Sequence, residues 1–151
     1  IFNIGNSIKK AAKIIATQLE VNNIELIIDD VDIEIDGFEN EFQQVIVNIL
    51  NNAKDASIIK KRDIDFDAKV EIKIEKQEDK VILQLINNCG EASKEVGERM
   101  FEPYFTTKFE TQGTGIGLYM VKTIIETNMD GKITAQNTKD GIKFIILLPL
   151  K

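Results

Sequence analysis

A glycine-rich run in the last third of the chain has residue types suited to holding phosphate. It leads directly into a stretch with helical periodicity. Glycines let the backbone approach a ligand closely and adopt a positive φ without steric cost. The helix would direct its free N–H groups, and the positive end of its dipole, at an anion. The residues that predict this phosphate site, with a plain flexible loop as the alternative, are Gly113, Thr114, Gly115, Ile116, Gly117 and Leu118.

Three polar side chains share one face of a predicted long helix. Asn48, Asn52 and Asp55 stand four and three residues apart, a spacing that places side chains above one another on a helix. Neutral amide oxygens at this spacing can contact a hydrated Mg²⁺ that phosphates already carry. Asparagine is a poor helix former, so three asparagines within five residues, Asn48, Asn51 and Asn52, indicate a role beyond folding. The alternative is a polar helix flank.

An aromatic segment precedes the glycine-rich run. It reads Phe101-Glu-Pro-Tyr-Phe-Thr-Thr-Lys108. Pro103 would end a helix, because proline lacks a backbone N–H and clashes with the preceding turn. The aromatic side chains would anchor a mobile loop, and Lys108 offers a cation for phosphate. A plain loop with a hydrophobic plug is the alternative interpretation.

The periodicity of apolar residues predicts the elements that position these motifs. Helices are expected at residues 4–20, 39–59 and 114–128, with a short helical stretch at 93–100. Strands are expected at 24–28 and 31–35, joined by a turn at Asp29-Asp30, and at 70–74, 81–86, 132–136 and 142–148. We therefore predict an α/β two-layer sandwich. About three helices would cover one face of a mixed, mostly antiparallel sheet of about five strands.

The composition of the chain limits its partners. Nineteen basic against twenty-five acidic side chains give a net charge of −6, which argues against a nucleic-acid surface. The Lys60-Lys-Arg62 run is expected to be solvated surface. No apolar run approaches the ~20 residues that cross a bilayer, so we expect no direct membrane insertion by this chain. Because the sequence opens at Ile1 inside an amphipathic pattern, we interpret it as a domain of a longer parent protein.

Taken together and in this order, the three motifs resemble those of the ATPase domain shared by histidine kinases, Hsp90, gyrase and MutL. They are most similar to the histidine kinases. The polar helix matches the family's N box, residues 101–108 its F box and residues 113–118 its second glycine box. The tail from Gly131 to Pro149 is similar to the kinases as well. The resemblance implies the Bergerat ATP-binding fold over residues 1–151, with an ATP lid at about 88–113 that is mobile without nucleotide.

The resemblance also implies roles for individual residues, with ATP and Mg²⁺ as the cofactors. Asn52 would contact the metal, and Asn87 would bind adenine. Asn48, in the polar wall of the site, and Lys108, which would meet the γ-phosphate charge, are the expected catalytic residues. The other expected nucleotide contacts are Asp55, Cys89, Gly90, Phe101, Thr107 and the glycine-rich residues 113–118.

One position separates the branches of this superfamily on chemical grounds. The hydrolytic relatives carry a glutamate four residues before the metal-binding asparagine, where it activates water. Asn48 occupies that position here, and an amide cannot serve as a general base. The resemblance therefore favours phosphoryl transfer over hydrolysis.

The first glycine box departs from the family's Asp-x-Gly-x-Gly pattern. It falls on residues 87–91, so Asn87 replaces the adenine-binding Asp, and Cys89 and Glu91 replace two glycines. Asn87 could still accept a hydrogen bond from the adenine amino group, but losing the charge would cost about 1 kcal/mol. A left-handed conformation at Cys89 or Glu91 would cost about 1–2 kcal/mol each. Cys89 is expected to line the pocket as a passive thiol.

The function that the resemblance implies is transfer of the ATP γ-phosphoryl group to a histidine, followed by relay to an Asp on a response regulator. The chain contains no histidine. The acceptor would therefore lie on a separate dimerisation and phosphotransfer domain of the same parent protein. We expect a cytoplasmic domain, with any membrane anchor elsewhere in the parent. Two alternatives stay open: a degenerate member that acts by protein docking, and an ATP-hydrolysing relative.

Overall fold

The strands in the part of the chain that the structure describes form one five-stranded sheet and one short two-stranded sheet. The computed structural model describes residues 1–90, 100–102 and 117–150. The strands are β1 Phe2–Asn3, β2 Ile24–Ile28, β3 Glu34–Ile35, β4 Ala68–Gln77, β5 Lys80–Asn87, β6 Lys132–Asn137 and β7 Ile142–Pro149. The large sheet has the order β2-β4-β5-β7-β6, and β1 pairs with β3. The β2–β4 pair is parallel and the other pairs are antiparallel.

Helices cover one face of the sheet. They are α1 Ile4–Val21, α2 Glu39–Lys61 and α3 Gly117–Thr123, which continues as a π-helical segment over Ile124–Asn128. The long helix α2 has Glu39 and Glu41 in its first turn and Lys60 and Lys61 in its last. This distribution of charge favours the helix through its dipole. The predicted two-layer sandwich is confirmed, and no helix in the described part of the chain is long and apolar enough to span a membrane.

The core lies between α2 and the sheet. Strand β5 alternates so that Val81, Leu83 and Leu85 are buried on the helix side, and β7 buries Phe144 and Ile146 in the same way. Half-buried sheet surfaces with this period of two are what antiparallel pairs produce when one face meets helices. The α2 side chains that meet them are each at most 2% exposed: Phe42, Val45, Ile46, Ile49, Leu50 and Ala53.

The predicted turn at Asp29-Asp30 between strands at 24–28 and 31–35 is wrong. Strand β2 instead pairs in parallel with β4, in the register Ile24 to Ala68. Asp29 continues this pairing, because its N–H donates to the Ile72 carbonyl at 3.0 Å and its carboxylate accepts from the Ile74 N–H at 3.0 Å. Asp29 therefore extends the strand at the place where the sequence indicated a turn. The predicted helical stretch at 93–100 lies outside the described residues except for its last position.

A matched pair of phenylalanines tests the position of α2 in the core. Phe42 is fully buried, whereas Phe38, immediately before the helix, is 60% exposed. We expect Phe42→Ala to lower the free energy of unfolding by about 3–5 kcal/mol, and Phe38→Ala to change it by about 0.5 kcal/mol or less. Urea unfolding followed by circular dichroism measures both, and equal losses in the two variants would contradict this packing.

Candidate functional site

A side-chain hydrogen bond joins α2 to the first residue of α3. Asn48 Nδ2 donates to the Gly117 carbonyl oxygen at 3.4 Å, across 69 positions of sequence. Gln44 Nε2 donates to Asn48 Oδ1 at 2.8 Å, one helical turn away. Both ends of the Asn48 amide are therefore engaged, and the amide orientation is fixed. Among the residues that the structure describes, a Cβ added at Gly117 would meet only the Asn48 Cγ, at 4.0 Å, so on that side the space beside this glycine is open.

Asn52 lies one turn further along the same face of α2. It is half-buried, and its amide makes no hydrogen bond within the part of the chain that the structure describes. Asp55 is almost fully buried, and the Lys54 ammonium lies 3.5 Å from its carboxylate. Lys54 also donates to Gln18 Oε1 of α1 at 2.9 Å. The face predicted from the spacing thus carries one engaged amide, one amide free for a ligand, and one buried carboxylate.

Asn87 ends β5 on the side of the sheet that faces the helices. It is only 6% exposed. Its Oδ1 accepts a hydrogen bond from the Cys89 N–H at 2.9 Å. Asn87 Nδ2 donates no hydrogen bond to any residue that the structure describes. The side chain predicted to bind a base therefore lies on a buried residue, and its oxygen already accepts one hydrogen bond.

The structure adds Gly141 to the site, in the connection between the two strands predicted at 132–136 and 142–148. A Cβ at this position would overlap the carbonyl oxygen of Asn87 and lie 2.9 Å from Asn88 Cα. The next residue, Ile142, is the register partner of Asn87. An Asp-Gly pair before the last strand signals a hairpin, but nothing in it reveals that a strand from elsewhere in the chain passes so closely. Because Gly141 has no side chain, its backbone can lie directly against the Asn87 carbonyl and fix the position of the Asn87 backbone.

Asn88 and Lys60 hold the segment after β5 in place, and the sequence did not identify either. Asn88 Oδ1 accepts from the Lys69 N–H and its Nδ2 donates to the Asp67 carbonyl, both at 2.8 Å. Lys60 Nζ donates to the Asn88 carbonyl at 2.8 Å and lies 4.2 Å from the centre of the Phe66 ring. The expectation that residues 60–62 are solvated surface is therefore wrong for Lys60. It also fails for Lys61, whose Nζ donates to the Asn22 carbonyl at 2.7 Å.

The altered first glycine box avoids the strain expected at Cys89. Gly90 takes the positive φ, at 109°, and Cys89 is not among the described non-glycine residues with positive φ. The Gly90 N–H donates to the Asp140 carbonyl at 3.1 Å. Cys89 is 2% exposed. Burial raises the pKa of its thiol, against the opposing effect of Lys60 and Lys61. The thiol is thus a neutral, packed group, while Glu91 lies beyond the described residues.

The aromatic segment is anchored in the core at its first residue. The Phe101 ring meets the Phe144 ring edge to face, with centroids 6.4 Å apart, and Lys122 Nζ lies 5.8 Å from the Phe101 centroid. Leu118 is partly buried against the same core. The other residues predicted for the lid and the glycine-rich run, and not covered by the described ranges, are Thr107, Lys108, Gly113, Thr114, Gly115 and Ile116.

Helix α2 borders both groups of motif residues. Asn48 contacts α3, and Lys60 contacts the segment after β5. The twelve residue steps from Asn48 to Lys60 span about 18 Å of helix axis, and Asn52 and Asp55 lie in that interval. A ligand placed along this face would meet amide groups and open glycine backbone at one end and the buried Asn87 amide at the other. Such a surface suits an elongated molecule with a phosphate group at one end and a hydrogen-bonding ring at the other.

Comparison with known proteins gives one family and several relatives. The model of a family described as histidine kinase-, DNA gyrase B-, and HSP90-like ATPase matches residues 37–151. The two-component sensor PprA of Pseudomonas aeruginosa is 36% identical over 114 residues. The sensor histidine kinase GlnK of Bacillus subtilis is 32% identical over 122 residues. These matches cover 76% and 78% of this chain, but only 12% of PprA and 29% of GlnK.

Solved structures agree with this assignment. The catalytic domain of the histidine kinase ThkA has a TM-score of 0.84 and 30% identity, covering 98% of this chain and 93% of that chain. ThkA has also been solved in complex with the response regulator protein TrrA. In that structure the TM-score is 0.79 at 25% identity, covering 99% of this chain and 41% of that one.

The reactivity of the single cysteine tests the packing at the end of β5. Because burial raises the pKa of Cys89, less thiolate is present at a given pH than in the unfolded chain. Iodoacetamide at pH 8 should therefore alkylate the folded protein at least about tenfold more slowly than the protein in guanidinium chloride. The folded rate should go on rising at pH values where the unfolded rate has levelled. Equal rates by mass spectrometry would show that Cys89 is not packed in this way.

Proposed function

Because this chain belongs to the family of histidine kinase-, DNA gyrase B- and HSP90-like ATPases, on the side of the sensor histidine kinases, we propose that it is the ATP-binding catalytic domain of a sensor histidine kinase. The whole of residues 1–151 would be that domain. It would transfer the γ-phosphoryl group of ATP to a histidine on a dimerisation and phosphotransfer domain of the same parent protein. An Asp on a response regulator would then receive the group. The domain would act in the cytoplasm, where ATP is supplied.

The single observation that supports this proposal best is that two asparagines on the same face of α2 differ in their contacts. Asn48 is engaged at both ends and holds Gly117 at the start of α3. Asn52 stays without a hydrogen bond among the described residues, and its amide oxygen is a suitable ligand for Mg²⁺. Mg²⁺, when bound, would neutralise charge on the phosphates. Asn52 would hold it, Gly117 would leave room for the phosphates, and Asn87 would face the base.

The remaining roles follow the same arrangement. Lys108 would meet the charge of the γ-phosphate from the lid, and Asn48 would complete the catalytic wall by holding the glycine box in place. Thr107 and residues 113–116 would add contacts to the phosphates. Catalysis of this kind depends on positioning and charge neutralisation more than on covalent chemistry by the protein.

Transfer is favoured over hydrolysis by the chemistry of Asn48. An amide cannot remove a proton from water, and its oxygen already accepts a hydrogen bond from Gln44. The phosphoryl acceptor must come from outside, since the chain has no histidine. The relatives PprA and GlnK are several times longer than the matched region, which leaves room in such proteins for an acceptor domain.

A second candidate is a degenerate domain that docks to partners and binds no nucleotide. The packing of Cys89, 2% exposed at a position where the family has glycine, favours it, as does the use of Asn87 Oδ1 by the Cys89 N–H. Gly90 and the open space at Gly117 favour nucleotide binding instead. The two candidates differ in one measurable property, affinity for Mg²⁺-ATP.

Calorimetric titration of the purified chain with Mg²⁺-ATP tests the proposal. We expect saturable binding with a Kd below about 1 mM, without steady release of phosphate. An absence of heat up to millimolar ATP would support the docking domain and reject the kinase. Sustained hydrolysis by the isolated chain would instead favour the ATP-hydrolysing relatives.

Replacing Asn52 separates a ligand contact from a folding contact. Asn52→Ala should weaken Mg²⁺-ATP binding by about 10- to 100-fold, since it removes the proposed metal ligand. It should leave the unfolding midpoint unchanged, because the Asn52 amide makes no hydrogen bond to described residues. Asn40→Ala, an exposed asparagine on the same helix, is the control and should affect neither property. Unaltered ATP affinity in Asn52→Ala would remove Asn52 from the site.

Two glycines give a second matched pair. Gly117→Ala should keep or slightly raise stability, because the added methyl group has room and alanine is the better helix residue by about 0.5–1 kcal/mol. It should still weaken ATP binding, since the methyl group would fill space left for phosphate. Gly141→Ala should lower stability by about 1–3 kcal/mol or more through its overlap with Asn87. Thermal unfolding and calorimetry measure both, and a destabilised Gly117→Ala would mean that this glycine serves packing.

A further inference from the structure

The side-chain amide of Asn87 is locked in one orientation. A backbone N–H can donate only to an oxygen, so the 2.9 Å bond from Cys89 N identifies the Asn87 atom that accepts it as Oδ1. The other branch, Nδ2, is then the donor. It has no acceptor among the residues that the structure describes, although the residue is only 6% exposed. This donor is therefore available to a hydrogen-bond acceptor that a ligand brings.

The backbone that carries this amide is fixed as well. Gly141 lies directly against the Asn87 carbonyl, with no space for a side chain between them. Asn87 keeps its register with Val70 on one side and Ile142 on the other. The following residues are held by the bond from Gly90 N–H to the Asp140 carbonyl and by Lys60 on the Asn88 carbonyl. Turning the amide over would place its NH₂ group against the Cys89 N–H, so the orientation is set by the fold.

The chemistry of this position differs from that of an ionised carboxylate. A carboxylate only accepts hydrogen bonds, and it therefore matches an amino group at purine position 6. Asn87 offers a donor, while its oxygen already accepts the Cys89 N–H. A donor matches a keto oxygen at purine position 6. Asn87 thus presents to a base a pattern suited to a 6-oxo purine.

We propose that Asn87 sets the base selectivity of this site and that the site binds a 6-oxo purine nucleoside triphosphate at least as tightly as ATP. The inference rests on the proposed function, since it assumes a nucleotide between α2 and the end of β5. It deepens that function by naming the substrate class. The observation that carries it is the bond from the Cys89 N–H to Asn87 Oδ1, which fixes the amide so that Nδ2 is the group left to donate.

The test compares Mg²⁺-ATP with Mg²⁺-ITP, which differ in the base at position 6 and the adjoining ring nitrogen, by calorimetry on the full chain. In the unaltered protein, the Kd for ITP should equal or fall below the Kd for ATP. Asn87→Asp should shift the ratio of the two Kd values by about tenfold or more toward ATP. Gln84→Glu adds the same charge on the other face of β5 and should leave the ratio unchanged.

Three outcomes would overturn the inference, and they fall on different claims. Binding of ATP at least about tenfold tighter than ITP by the unaltered protein would reject the base selectivity and leave the kinase proposal standing. An unchanged ratio in a folded Asn87→Asp variant would show that another group selects the base. If neither triphosphate binds the unaltered protein or Asn87→Asp, the proposed function itself falls and the selectivity with it.

Discussion

The hydrogen bond between Asn48 and the Gly117 carbonyl connects the two halves of the site. At 3.4 Å it is long, and hydrogen bonds weaken toward that distance. Its orientation therefore depends on the shorter bond from Gln44, one turn earlier on α2. That turn is rigid because the opposite side of the helix packs Phe42 and Val45 into the core with no exposed surface. The geometry of the proposed phosphate site between α2 and α3 thus depends on the burial of the helix face that points away from it.

The end of β5 is positioned by a different constraint, the close approach of two backbones. Gly141 permits the last hairpin to lie against Asn87, and a side chain there would push the strands apart. Asn88 extends the pairing with β4 by one residue through its bond from the Lys69 N–H. Lys60, near the end of α2, donates to the Asn88 carbonyl and so connects this segment to the helix. Helix α2 is consequently the element that relates the two ends of the site to each other. An extended ligand would have to match the distance between these two ends.

The helices, the sheet and the polar face of α2 could be predicted from the sequence, because they depend on local periodicity. The pairing of β2 could not, since a carboxylate at Asp29 serves a turn or a strand end equally well, and the choice is made by β4, some forty residues later. Gly141 and Lys60 were missed for the same reason: their partners are backbone carbonyls at distant positions. The strain expected at Cys89 was wrong because the neighbouring Gly90 takes the positive φ.

The most direct test of a nucleotide site along α2 is an NMR titration of the labelled chain with Mg²⁺ and an ATP analogue whose γ-phosphate cannot be transferred. We expect the largest chemical-shift changes on the Asn48 and Asn52 side-chain amides, the Gly117 backbone amide and the Asn87 side-chain amide. Changes confined to Lys69, Glu71 and Ile86 on the opposite face of the sheet, with none at Asn48, Asn52 or Gly117, would contradict it, as would a spectrum that does not change.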